Sequence, residues 1–311
     1  APWQLALTLG VVAALGMSVA WVPCNATVAR WFTRRRGAAV AIASSGASLG
    51  NFVMPPLAGV LMLAWGWRTT LAVIAVASAL AMLLAARYMV RDPETLGLTP
   101  DGDALPLDAT LAPRIDLALA EVRRSASFVL VIALYFCSWL VVFMPFVHLP
   151  AHASDLGHDA AGAASLLAAV GLGGVAGRLS AGVASDHIGR FAALVIVFTL
   201  QAASFVAFAE VVALAPLWFA ATVFGFSYGG AVTLLPPLCG DLFGRTHMAS
   251  IVGVIFAVAG APAAFGPYAA GWLYDATGGY DLAFVGAAAL NVLALVLTLV
   301  LAARTRRLTR S

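Results

Sequence analysis

The sequence predicts an all-α polytopic membrane protein, and three observations carry that prediction. Of 311 residues, 62% are hydrophobic and only 10% are charged, whereas a soluble domain keeps about a quarter of its residues charged. The mean hydropathy is +0.98. The apolar residues also gather into nine long runs, at 4–27, 38–65, 69–90, 126–148, 160–184, 191–209, 211–239, 249–273 and 280–302. Each is long enough to cross a hydrocarbon core of about 30 Å at about 1.5 Å per residue.

The runs follow one another in an informative order. The first holds Trp21 and Asn25 one helical turn apart and ends at the basic cluster RWFTRRR, 30–36. It lacks a basic start and is followed by further spans, so it reads as a span and not as a secretion signal. After the third run, DPETLGLTPDGDALP is polar and turn-rich and reads as a flexible linker. RIDLALAEVRR, 114–124, then places Ile115, Leu119 and Val122 on one helical face, which suits a helix on the inner membrane surface. Around the loop after the fourth run lie His148, His152 and His158, whose spacing does not fit a metal site. Solvated loop histidines are expected there. The seventh run centres on FGFSYGGAV with Tyr228, and the chain ends in RTRRLTRS. Glycine and proline recur inside the runs, which is tolerated where neighbouring helices shield the backbone. Cys24, Cys137 and Cys239 all fall in apolar runs and read as small buried residues, not as a disulfide framework.

All 17 basic residues are arginines. If the spans alternate, fifteen of them fall on one side, Arg68 alone on the other, and Arg178 stays within the membrane. Basic loops are retained in the cytoplasm. The 92–125 loop and the carboxyl terminus are therefore expected inside, in a bacterial-type cytoplasmic (inner) membrane. The arginine-rich tail reads as a topology anchor, and no nucleic-acid partner is expected.

Arg178 is the anomaly. It lies eight residues before Asp186, roughly 12 Å deeper along a helix, near the bilayer midplane. An arginine there costs at least about 2.5–3.5 kcal/mol on insertion scales, so it must face a water-filled cavity or a counter-charge. Asp155, Asp159, Glu210, Asp275 and Asp281 all sit in or near outer loops, and Gly174, one turn away, carries no charge. Two readings stand: an ion pair with a residue outside this chain, and an anion site. The second is preferred, because a guanidinium is a planar fork of donors matched to a carboxylate. Tyr228, Trp21 and Asn25 are further cavity candidates, each also explicable as helix packing. The spans hold no pair of acids, no histidine-rich metal cluster and no activated nucleophile, so an enzyme is not expected, nor any cofactor or metal.

An internal repeat organises the chain. RWFTR (30–34) followed by PPLAG (55–59) parallels DLFGR (241–245) followed by GPYAAG (266–271), with Pro55 and Gly59 matching Pro267 and Gly271. Two halves repeated in parallel are a known transporter plan. The domains expected are the last three helices of an amino-terminal half (1–91), a central cytoplasmic loop with an interfacial helix (92–124), and a six-helix carboxyl-terminal half (125–311). The repeat implies three further spans upstream: nine transmembrane helices present of an expected twelve.

GVASDHIGR (182–190) resembles the loop motif of the major facilitator superfamily: glycine, three residues, aspartate, a basic residue, any residue, glycine, basic residue. His187 departs mildly from it. ATVARWFTRRRGAAVAIASSGASLG (26–50), RDPETLGLTPDGD (91–103) and FGPYAAGWLYDATGGYDLAF (265–284) resemble the branch of monocarboxylate porters and oxalate/formate antiporters. The resemblance implies the major facilitator fold and a secondary active transporter of a small organic anion, ion-coupled or exchanging, with protons as a coupling partner and the chain acting as a monomer. It also implies that Arg178 binds the substrate carboxylate. The eleventh helix lacks the second cation of oxalate exchangers, so one carboxylate is expected. Gly174 stands where some animal carriers have a proton-coupling aspartate. In the loop motif, Gly182 permits close helix approach, Asp186 accepts hydrogen bonds from a neighbouring helix terminus, Gly189 belongs to the motif's turn, and Arg190 bridges to another span. These contacts would lock one side of the carrier. The rival expectation is a major facilitator exporter of drugs, which has no need of a buried cation.

Overall fold

A computed structural model describes residues 2–102, 119–244 and 246–308, and these are almost entirely helical. The long helices are α1 (Ala13–Trp31), α2 (Arg36–Ala86), α3 (Ala126–Val142), α4 (Met144–Asp155), α5 (Ala160–Ile188), α6 (Arg190–Glu210), α7 (Leu214–Phe243), α8 (Met248–Gly260), α9 (Phe265–Thr277) and α10 (Asp281–Leu308). A short helix, Pro2–Leu5, and a π-helical stretch, Ala6–Val12, lead into α1. In lipid the backbone has no water to bond, so a chain this apolar satisfies its amides within helices.

Helix α2 has 51 residues, which would be about 76 Å if straight, more than twice the hydrocarbon thickness. It is not straight. The second and third apolar runs meet at Gly66, whose φ of 74° and ψ of 159° break the helix in a region essentially reserved for glycine. Nothing else crowds Gly66, so conformation alone demands a glycine there. The chain beyond it returns to its starting side, where the Trp31 indole Nε1 donates to the Val90 carbonyl at 2.9 Å. Similarly, α3 and α4 form one crossing, interrupted at Phe143, where Pro145 in the first turn of α4 supplies no amide hydrogen. Proline also divides α8 from α9, at a 3₁₀ turn over Ala261–Ala264.

Seven helical segments among the described residues are long and apolar enough to cross a membrane, the first being Leu57–Ala86 and the last Asp281–Arg307. The chain is thus a multi-pass membrane protein, with fewer qualifying crossings than the nine runs read from the sequence.

The closest packing is between α5 and α7. A Cβ on Gly173 would strike the Thr222 carbonyl oxygen, one on Gly177 that of Phe226, one on Gly225 that of Val170, and one on Gly229 that of Gly174. Two glycines four residues apart on each helix let the backbones touch, the small-residue contact that lipid-embedded helices use in place of hydrophobic burial. Behind them Phe198, Phe205, Phe208, Phe224 and Phe284 fill the core. Helix α2 packs against α5 and also meets α7.

The 92–102 segment is not a loose linker. Pro93–Leu96 and Pro100–Gly102 form short 3₁₀ turns. Asp92 pairs with Arg30 at 3.1 Å, and the Asp101 carboxylate accepts from the Thr33 and Arg34 amides at 3.1 and 3.3 Å. Two carboxylates that meet fixed donors order a stretch whose composition alone reads as flexible. Of the helix expected over 114–124, Leu119–Arg124 is helical and Val122 is fully buried in the core. Ile115 lies outside the described residues.

Candidate functional site

Arg178 lies on α5 facing α1, α2 and α7. Its stem runs over Gly229 of α7, where an added Cβ would come within 3.2 Å of the arginine Cγ. The side chain is 3% exposed. Its Nε donates to the Ser48 hydroxyl on α2 at 2.6 Å. The guanidinium carbon lies 5.2 Å from the Trp21 ring centroid and 5.6 Å from that of Tyr228, both within cation–π range. Nη1 is buried and has no hydrogen-bond partner. Among the described residues no carboxylate forms a salt bridge with Arg178. A buried cation is thus held between two aromatic faces, with donor capacity unused and no counter-charge among the described residues.

Trp21, Tyr228 and Arg178, far apart in sequence, therefore meet. Tyr228 is braced edge-on by Phe146 of α4, with ring centroids 5.6 Å apart. Asn25 is buried one turn from Trp21, but its Nδ2 donates to the Trp21 carbonyl at 2.8 Å, while its Oδ1 has no partner. Trp21 also borders a cavity of about 720 Å³ lined by Val22, Pro23, Ser250, Gly253 and Phe256, with Ala249 and Ala257. Ser48 is the residue that sequence reasoning missed. Its only sequence signal is its place in the small, polar run ASSGAS.

The second constellation lies where α5 ends. The Asp186 carboxylate accepts from the amides of Gly37 and Ala38, each at 2.9 Å. These are unsatisfied donors of the first turn of α2, where the helix dipole also favours an anion. Gly182 crosses α2 so closely that a Cβ there would strike the Ala41 Cβ. Gly189, with φ of 89°, ends α5 and lets α6 start at Arg190. Arg190 pairs with Asp186 at 2.6 Å and with Asp241, at the end of α7, at 3.0 Å. His187 is exposed and takes no part.

Arg36, Gly37, Asp241 and Arg30 complete this lattice and were not singled out from the sequence. Arg36 pairs with Asp241. Arg30, buried and paired with Asp92, donates to the Thr246 carbonyl at 2.7 Å. The turn between α1 and α2 thus grips the turn between α7 and α8, the two places that the internal repeat relates. The available signal was the pairing of RWFTR with DLFGR.

The outer histidines differ from expectation. His148 and His152 lie within α4, not in a loop. His148 contacts the Tyr280 hydroxyl at 3.2 Å and the Pro267 carbonyl at 2.8 Å. His152 is buried edge-on against Tyr280 and Phe284, and His158 contacts the Val212 carbonyl at 2.7 Å. All three tie helices together.

A bundle with a repeat across its seam, a glycine-aspartate-glycine-arginine turn and a cation in the seam is a specific combination, and the profile of the Major Facilitator Superfamily matches residues 1–267. The chain belongs to that superfamily. It is 25% identical over 305 residues to Monocarboxylate transporter 12 of Xenopus laevis, covering 90% of this chain and 65% of that protein. It is 29% identical to Monocarboxylate transporter 13 of Bos taurus, covering 92% of this chain and 65% of that protein. The chain thus spans just under two thirds of the length of these relatives. Among solved structures, the E. coli fucose:proton symporter FucP is similar with a TM-score of 0.65 at 15% identity, over 90% of this chain and 72% of that one. The human organic anion transporter MFSD10 is similar with a TM-score of 0.62 at 18% identity, over 88% and 66%.

Proposed function

We propose that the protein is a secondary active transporter that moves a small organic anion, a monocarboxylate, by alternating access, coupled to an ion such as the proton or working by exchange. One observation carries the reading: Arg178, buried at the seam, keeps an unpartnered Nη1 and, among the described residues, forms no salt bridge with a carboxylate. A carboxylate arriving there would supply the missing acceptors and the missing charge, a planar pair that a guanidinium matches. Tyr228 and Trp21 would flank the anion, and Asn25, with its free Oδ1, would lie at the margin of the same space. The likeness to proteins named monocarboxylate transporters supports the same class.

Alternating access needs a lock that opens. Gly182, Asp186, Gly189 and Arg190 would form it with Arg36, Gly37 and Asp241, closing one side while the anion loads from the other. On this reading the nine apolar runs are nine crossings of a twelve-crossing, two-half plan, with residues 1–91 in the first half, 92–124 joining the halves and 125–311 in the second. The arginine-rich side, including the carboxyl terminus, would face the cytoplasm across a bacterial-type inner membrane, with the protein acting as a monomer. The mostly apolar lining of the cavity beside Trp21 favours a second reading, an exporter of drugs.

Uptake of labelled lactate or acetate into proteoliposomes of the full-length protein, with an imposed proton gradient, tests the proposal. Saturable uptake that Arg178→Gln abolishes is expected. An Arg178→Gln variant with unaltered carboxylate uptake refutes the anion site, and uptake of uncharged apolar compounds alone favours the exporter.

A further inference from the structure

We infer that Ser48 is a positioning residue that selects which edge of the Arg178 guanidinium is offered to the anion; this rests on the anion-site reading above. A guanidinium has two edges on which a carboxylate can sit with two hydrogen bonds: the side edge, formed by Nε and one Nη, and the end edge, formed by the two Nη groups. Ser48 occupies Nε at 2.6 Å. The side edge is taken, Nη1 is unpartnered, and the end edge remains for the substrate.

Of the serines on this part of α2, Ser48 is the one that meets the guanidinium. The Ser45 hydroxyl turns back onto α2, donating to the Ile42 carbonyl at 2.7 Å, and the Ser44 hydroxyl lies 3.2 Å from both the Ala41 carbonyl and the Thr233 hydroxyl of α7, reaching no charged group. Bonding to a carbonyl of the preceding turn is what serines ordinarily find in a helix. Ser48 is instead 5% exposed at the crossing with α5, with Gly174 of α5 providing room beside its hydroxyl. The bond runs from the amino-terminal part of the chain to the carboxyl-terminal part, on the same α2–α5 contact that Gly37, Gly182 and Asp186 hold together. Ser48 lies eleven residues along α2 from Gly37, roughly 16 Å deeper in the seam. The orientation of the anion site is therefore tied to closure of the lock: when α2 draws away from α5, Nε loses its acceptor and the guanidinium is free to turn. Without the hydroxyl, the side chain would twist about its last torsions and present a mixture of edges.

The test is the carboxylate KM and maximal rate of the full-length protein in proteoliposomes, for Ser48→Ala, Ser48→Thr and each combined with Arg178→Lys. Ser48→Ala is expected to raise KM about tenfold, the size of losing one hydrogen bond to a charged group, with the maximal rate per inserted molecule within about twofold by the same uniform-binding logic. Ser48→Thr keeps the hydroxyl and is expected to restore KM. In the Arg178→Lys background Ser48→Ala is expected to add nothing, because lysine has no second edge to choose. If Ser48→Ala inserts poorly, Ser48→Cys, close to serine in size but a weak acceptor, takes its place. An unchanged KM in Ser48→Ala overturns the inference, as does an equal rise with arginine or lysine at position 178. Either result leaves the anion site standing. Normal uptake by Arg178→Gln instead removes the anion site itself.

Discussion

Replacing Asp186 by asparagine should unlock the side of the protein where α5 meets the start of α2. The aspartate accepts two amide hydrogens, from Gly37 and Ala38, each at 2.9 Å, and pairs with Arg190 at 2.6 Å. Asparagine offers one carbonyl oxygen and an amide nitrogen, so one of the two helix-terminal amides loses its acceptor and the other keeps only a neutral one. Hydrogen bonds to a charged group contribute about 1.5–3 kcal/mol and neutral ones about 0.5–1.5. The lost charge also forfeits a helix-terminus attraction of about 0.3–1 kcal/mol. Arg190 retains Asp241, whose side chain is 43% exposed, so that pair is solvent-screened and its change adds little. The closed arrangement should weaken by about 3–5 kcal/mol, a shift of roughly 150- to 5,000-fold in the open-to-closed ratio. The assay is the reaction rate of a cysteine at position 44 with a maleimide applied from that side, in a background free of Cys24, Cys137 and Cys239. Ser44 is 1% exposed and its hydroxyl lies 3.2 Å from that of Thr233 across the seam, so it reacts only when the seam parts. A labelling rate in Asp186→Asn equal to that of the parent would show that these bonds do not hold the seam.

Three further outcomes follow from the same geometry. Arg178→Lys keeps the charge but loses the planar fork, and carboxylate uptake should fall at least about tenfold yet stay above that of Arg178→Gln; equal activity of lysine and arginine would count against fork recognition. Gly177→Val puts a side chain where the Phe226 carbonyl oxygen lies and should destabilise the α5–α7 contact by about 1–3 kcal/mol or more, read as a lowered melting temperature in detergent. The control is Gly171→Val, which meets no neighbour. Cysteines introduced at Ser154, exposed at the end of α4, and at Leu96, 58% exposed in the docked segment, should react oppositely with an impermeant reagent on intact cells, and labelling at position 96 alone would invert the orientation.

What the sequence by itself determined was set by local and additive properties. An apolar excess with few charges names lipid as the solvent, and lipid leaves the backbone no stable form but the helix or the closed barrel; runs of about twenty residues or more select the helix. The arginine asymmetry and the order of glycine, aspartate, glycine and arginine at 182–190 are also visible along the chain, and so is Arg178, because a cation is conspicuous in an apolar run. Its surroundings are not. The Ser48 bond joins residues 130 apart and the Arg36–Asp241 pair residues 205 apart, and both exist only because α2 crosses α5 and the end of α7. The glycines on α5 and α7 look like any others until the facing carbonyls are in place. The 92–102 segment is polar and rich in turns, yet it is ordered, because Asp92 and Asp101 meet the donors of the α1–α2 turn. Composition fixes the solvent and the secondary structure because each residue votes alone, whereas the site depends on which helix faces meet. That is decided by packing between segments distant in sequence, where one Cβ too many would keep the backbones apart.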